Sequence, residues 1–123
     1  MNDGDAPILL VEDEAELGLV LQETIEEWDY RVLLVPSGGE AIRVLAEQPV
    51  GLLLLDWHLA DSSGSELLDR LRSENRPIPP VVLMTAAQSS ALEIRWPEVV
   101  AMLQKPFDLA DLAGILERHL PRR

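Results

Sequence analysis

A chain of 123 residues with 22 acidic and 10 basic side chains carries a formal net charge of −12, and that length suits one domain with a single core. The acidic field disfavours direct binding to nucleic-acid backbones and favours cations and basic partner surfaces. No cysteine is present, which excludes disulfides and thiolate metal sites. No apolar run is long enough to span a bilayer, and residues 1–7 read as a loose lead-in rather than as the basic, apolar leader of an exported protein. The expectation is one domain over residues 1–123, in the cytoplasm, with no membrane contact.

Apolar runs at 8–11, 32–35, 51–55, 81–84 and 99–103 have strand length and alternate with longer segments of helical period. That alternation predicts βα units around a parallel sheet. The first run leads into Glu12 and Asp13. Beyond it, Leu17, Val20, Leu21, Thr24, Ile25 and Trp28 recur at spacings that line one side of a helix. After the second run Ser37 is placed to cap a second helix through Leu45, with Gly38 and Gly39 weakening its first turn. The third run leads into Asp56. A helix follows Gly64, with Leu67, Leu68 and Leu71 inward and Glu66, Asp69, Arg70 and Arg72 outward. Asn75 to Pro80 holds three prolines and is a connection. The fourth run leads into Thr85, and Trp96-Pro97 cuts short any helix that follows. Lys105-Pro106 succeed the fifth run, Asp108 is positioned to cap the last helix, and Leu109, Leu112, Leu116 and Leu120 form its buried stripe.

The charges therefore stand at strand ends, and in a parallel α/β sheet the carboxyl ends of the strands form one ligand-binding edge. Glu12, Asp13, Asp56 and Lys105 are set to converge there. With Thr85 after the fourth strand and Gly64 eight residues beyond Asp56, these positions make the chain resemble, over nearly its whole length, the receiver domain of two-component response regulators. The resemblance implies a flavodoxin-like, doubly wound (βα)5 sandwich with a five-stranded parallel sheet in order 2-1-3-4-5, the order given for the flavodoxin-like class. The helix between the fourth and fifth strands is expected to be short or irregular.

Residue chemistry agrees with that likeness. Two carboxylates about 4 Å apart repel by roughly 4 kcal/mol at an effective dielectric near 20, so three of them facing one lysine call for a cation. Oxygen donors alone suit Mg²⁺. Asp13 and Asp56 are the expected direct ligands, with Glu12 acting through water and the backbone carbonyl of His58 supplying a further oxygen in the family pattern. Asp56 is then the phosphoacceptor, taking a phosphoryl group from the phosphohistidine of a histidine kinase or histidine phosphotransfer protein. Lys105 neutralises charge on the transferring group, and the hydroxyl of Thr85 meets the phosphoryl oxygen afterwards. Gly64 and Pro106 are structural. The chain is expected to catalyse only its own phosphorylation and dephosphorylation, and so not to be an enzyme in the ordinary sense.

Bland readings accompany these. Asp13 and Glu16 also fit a helix N-cap and its box partner, Asp56 a turn acid, Thr85 a loop hydroxyl and Lys105 a solvated charge. His58 reads as an exposed loop residue, and Trp57 as a shield over the site or a surface-packed ring. An aspartyl-phosphate phosphatase of the haloacid-dehalogenase type is an alternative, but it needs a second acid two residues beyond the nucleophile, where His58 stands. A second alternative is a receiver impaired in switching that serves as a constitutive interaction module. Met102 occupies the family's aromatic switch position, Ala60 replaces a proline, and Ile115 stands where many DNA-binding members carry a basic residue. Those departures predict a monomer or a non-standard dimer.

Overall fold

Five apolar runs pair side by side into one parallel sheet. The structure is a computed structural model that describes residues 6–59, 63–86 and 96–120. Its strands are β1 (Ile8–Val11), β2 (Val32–Val35), β3 (Leu52–Asp56), β4 (Val81–Thr85) and β5 (Val99–Gln104), in the spatial order β2-β1-β3-β4-β5. Ile8 pairs with Val32 on one side and Leu52 on the other, and Leu53 pairs with Val81. β1, β3 and β4 are buried at every residue. That is why they read as continuous apolar runs instead of alternating ones: helices cover both faces of the sheet.

Alternate strand residues feed two separate cores. Ile8, Leu10, Leu52, Leu54, Val82, Met84 and Leu103 pack with Leu21 and Ile25 of α1 (Ala15–Glu27) and with Leu112 and Leu116 of α4 (Leu109–His119). Leu9, Val11, Leu53, Leu55, Val81, Leu83 and Val99 pack on the opposite face. There they meet Ala41 of α2 (Gly38–Glu47) and Leu67, Leu68 and Leu71 of α3 (Gly64–Ser73). Burying each such leucine is worth about 2 kcal/mol, so the sheet is fixed in register by its two-sided packing.

Helix starts follow side-chain chemistry. Ser37 Oγ accepts from the Glu40 N–H at 3.2 Å, and Ser63 Oγ accepts from the Glu66 N–H at the same distance. Each satisfies one orphan donor of a first turn. The N-cap of α1 is Glu14, so Asp13 lies ahead of the cap and the capping-box reading of Asp13 with Glu16 fails. Asp108 holds the N-cap position of α4 but makes no side-chain cap bond.

Two residues of the expected apolar stripes lie outside the core. Val20 is 56% exposed, because the buried line of α1 runs through Gly18, Leu21 and Ile25 and leaves Val20 on its flank. Leu109 is 44% exposed at the first turn of α4, before that helix reaches the sheet. Strands β3 and β4 each run one residue further than the apolar pattern predicts, so Asp56 and Thr85 are last strand residues. The second helix extends past Leu45 to Glu47. The expected short helix falls largely in 87–95, Ala60 in 60–62, and most of the lead-in in 1–5, all outside the described residues.

Gly64 owes its place to the ring beside it. A Cβ there would come within 2.5 Å of Trp57 Cε3 and 3.0 Å of Trp57 Cζ3, whereas one on Gly114, in mid-α4, would meet nothing within 4 Å. Gly64→Ala should therefore cost about 1–3 kcal/mol by overpacking, while Gly114→Ala should add about 0.5–1 kcal/mol by helix propensity. Urea unfolding of the two variants checks both signs.

Candidate functional site

Parallel register brings the strand ends to one edge. Val11 pairs with Leu55, Asp56 with Met84, and Thr85 with Gln104. The residues on or just past these ends thus stand together. Backbone bonds hold the exits: Glu12 N–H to Val35 O at 3.1 Å, Trp57 N–H to Met84 O at 2.9 Å, and Lys105 N–H to Thr85 O at 2.8 Å.

Lys105 Nζ lies 3.3 Å from Asp56 Oδ2 and 3.4 Å from Glu12 Oε1. Glu12, Asp13 and Asp56 each offer a carboxylate oxygen within 4.8 Å of the others. The outer oxygens are also engaged: the His58 N–H donates to Asp56 Oδ1 at 3.2 Å, and the Glu14 N–H donates to Glu12 Oε2 at 3.1 Å. Among the described residues the buried polar or charged side chains are Glu12, Asp56 and Thr85. Burying carboxylates is costly unless they are paired, and here they cluster on one edge.

That cost appears in the proton affinities. Burial first, and the neighbouring Asp56 carboxylate after it, push Glu12 up to about 7 from an ordinary 4.5, against the lowering effects of the Glu14 N–H and Lys105. Burial acts to lower Lys105, yet the Asp56 and Glu12 charges prevail and its affinity is raised. A single ammonium does not compensate the acids fully. The donor set is all oxygen, clustered and short of positive charge, which fits a hard divalent cation such as Mg²⁺.

The remaining predicted residues are placed as follows. Thr85 is buried at the end of β4, beside the Lys105 backbone. Met102 pairs with Leu83 and packs, partly buried, on the core that covers α2 and α3. His58 is exposed and forms an isolated bridge with Ser63, while Pro106 is exposed next to Lys105. Trp57 packs, partly buried, against the core on the α2–α3 face. Its ring meets Trp96 edge-on with centroids 5.5 Å apart, and Trp96 is only 2% exposed. Sequence reasoning used Trp96 only as a helix stop, since a lone aromatic ahead of a strand belongs to no periodic stripe.

A family model for the response regulator receiver domain matches residues 8–117. The chain belongs to that family. Among relatives, it is 36% identical over 115 residues to the uncharacterized transcriptional regulatory protein YkoG of Bacillus subtilis, covering 92% of this receiver and 50% of that protein. It is 31% identical to the phosphate regulon regulator PhoB of Pseudomonas aeruginosa, over 94% and 52% of the two chains. This receiver spans about half the length of those curated relatives. Among solved structures it matches the signal receiver domain of a putative LuxO repressor from Vibrio parahaemolyticus with a TM-score of 0.82 at 27% identity, over 94% and 89% of the chains. It also matches, with a TM-score of 0.79 at 30% identity and over 94% and 97%, the receiver domain of a Pseudomonas aeruginosa sensor histidine kinase with a magnesium ion coordinated in its active site cleft. Receiver domains bind Mg²⁺ in an acidic pocket, and the receiver described here has an acidic cluster of Glu12, Asp13 and Asp56. No helix among its described residues is long and apolar enough to cross a membrane.

The raised Glu12 affinity sets a pH dependence. Between about 4.5 and 7 the folded receiver keeps a proton that the unfolded chain releases, so stability falls with rising pH across that window and levels off above it. Thermal melts of metal-free protein from about pH 5 to about pH 8 should show this fall, and Glu12→Gln should flatten it.

Proposed function

We propose that this receiver, as one domain over residues 1–123, accepts a phosphoryl group on Asp56 from the phosphohistidine of a histidine kinase or histidine phosphotransfer protein, and that it does so in the cytoplasm. The observation that carries the reading is Lys105 Nζ set between Asp56 and Glu12 at the open edge of the sheet. Asp56 Oδ2 attacks phosphorus in line, the P–N bond of the donor breaks, and the donor's imidazole leaves. His58 N–H keeps the carboxylate oriented through Oδ1.

Phosphoryl transfer passes through a loose transition state with charge spread over three equatorial oxygens, so positioning and neutralisation do most of the catalysis. Lys105 is close enough to Asp56 to neutralise one of those oxygens. Asp13 and Asp56, with Glu12 through water and the His58 carbonyl, are the residues to hold Mg²⁺, which when bound supplies the rest of the positive charge. The Thr85 hydroxyl takes up the phosphoryl oxygen once Asp56 is modified. Hydrolysis of the acyl phosphate returns Asp56 and releases phosphate, so the chain acts catalytically only on itself.

Intact-mass measurement with a small acyl phosphate should show one added phosphoryl group in Mg²⁺ and none in excess chelator. Asp56→Asn should abolish the gain; an undiminished gain sinks the assignment.

Output is proposed to bypass the switch that a ring in β5 provides. Met102 is flexible and has neither ring nor hydroxyl to lock an active position, and Ile115 packs on the α1–α4 core and offers no ion pair. Sedimentation in Mg²⁺ with and without a beryllofluoride mimic should show no tight mimic-dependent dimer through β5 and α4.

A further inference from the structure

The Trp57–Trp96 pair lies outside the acid cluster yet adjoins it. Trp96 stands three residues before β5, and its ring meets Trp57 at 70° between planes, a geometry that contributes beyond mere burial. Its indole Nε1–H donates to Asp69 Oδ1 on α3 at 3.1 Å. A second tie joins the same turn to α3: Arg72 Nη2 pairs with Glu98 Oε1 at 3.1 Å. The turn itself is anchored to the sheet by Val99 N–H to Trp96 O at 2.9 Å and Val81 N–H to Glu98 O at 2.8 Å.

On its other side the pair reaches the acceptor. Trp57 follows Asp56 directly, its N–H donates to Met84 O, and its carbonyl accepts from the Gly64 N–H, both at 2.9 Å. The ring is then confined between Gly64, which leaves no room for even a methyl group, and the edge of Trp96. A ring so held cannot absorb a shift at the end of β3 by turning alone. Any displacement there is passed to the first turn of α3 and to Trp96, and Asp69 returns the Trp96 contact to α3 one turn further along.

We propose that Trp96 is a positioning residue for the acceptor site: anchored by Asp69, it fixes Trp57 beside Asp56 and couples occupancy of the acid cluster to α3. This rests on the phosphoacceptor reading above. Close-packed interiors transmit displacements instead of dissipating them, and coupling requires contacts that differ between the empty and occupied states. The Trp57–Trp96 contact is the packed link on the α3 side, whereas Met102 in β5 has no ring to perform that part.

The test uses the whole chain and two readouts: affinity for Mg²⁺ with beryllofluoride by calorimetry, and amide hydrogen exchange over residues 64–73 with and without those probes. In the parent the probes should slow exchange in α3. Trp96→Leu should weaken probe binding about tenfold and abolish the α3 response. Asp69→Ala should weaken binding about fivefold, as expected for one lost hydrogen bond, and diminish that response. Asp69→Asn, whose side-chain oxygen still accepts from Nε1, should keep both near the parent. Should Trp96→Leu fail to fold, the exposed Asp69→Ala decides. Folded variants with parental affinity and parental α3 response overturn the coupling alone. A parent that binds neither probe overturns the phosphoacceptor reading, and this proposal with it.

Discussion

The bond that everything else serves is Lys105 Nζ to the carboxylates of Asp56 and Glu12, at 3.3 and 3.4 Å. Lys105 and Glu12 are 93 residues apart in sequence, so the contact exists only when β1, β3 and β5 lie in register and β4 spaces them. Glu12, Asp13 and Asp56 also offer carboxylate oxygens within 4.8 Å of one another, and charges so close at a protein edge repel by several kcal/mol. The ammonium offsets part of that repulsion, and the proton affinity of Glu12 stays raised, first by burial and then by the Asp56 carboxylate. A protein selected for stability alone has no reason to crowd acids on the edge of its sheet.

The scaffold can carry this cost because it is two-sided. β1, β3 and β4 are apolar through their length and change character only at their carboxyl ends. Each strand therefore has a buried body that fixes register and a polar end, Glu12, Asp56 or Thr85, whose position the register sets. A slip of one residue would exchange the two cores and carry the acids off the edge together. Core packing and site geometry are one constraint here.

What could be read in the sequence follows from the same division. Strand positions were legible because a strand buried on both faces is a continuous apolar run, and the acid–lysine set was legible because it begins where each run stops. Helix faces were less so. The stripe drawn through Leu17, Val20 and Leu21 was wider than the true one, and Gly18, the residue that lets α1 approach Leu34, carries no hydrophobic signal at all. Trp96 was illegible for a different reason. Its partners, Trp57 and Asp69, lie 39 and 27 residues away, and no periodicity links them. Asp69 was assigned outward, which is true of its exposure, but that assignment hides the bond it makes to a buried indole.

Local rules that break in a folded chain point to function, and here they break in two places of different kind. At the sheet edge, buried acids violate electrostatic economy, and the violation favours a divalent cation and a phosphoryl group that is itself charged. Beside it, a tryptophan pair fills a space that Gly64 has to leave open. The first departure is chemical and stores repulsion that a ligand can release. The second is mechanical, a rigid contact placed one residue from the group that the ligand engages. Repulsion released without a packed neighbour would stay local, and a packed neighbour without the repulsion would have nothing to transmit. On the proposed reading, their adjacency at Asp56 and Trp57 lets the binding edge act as a switch.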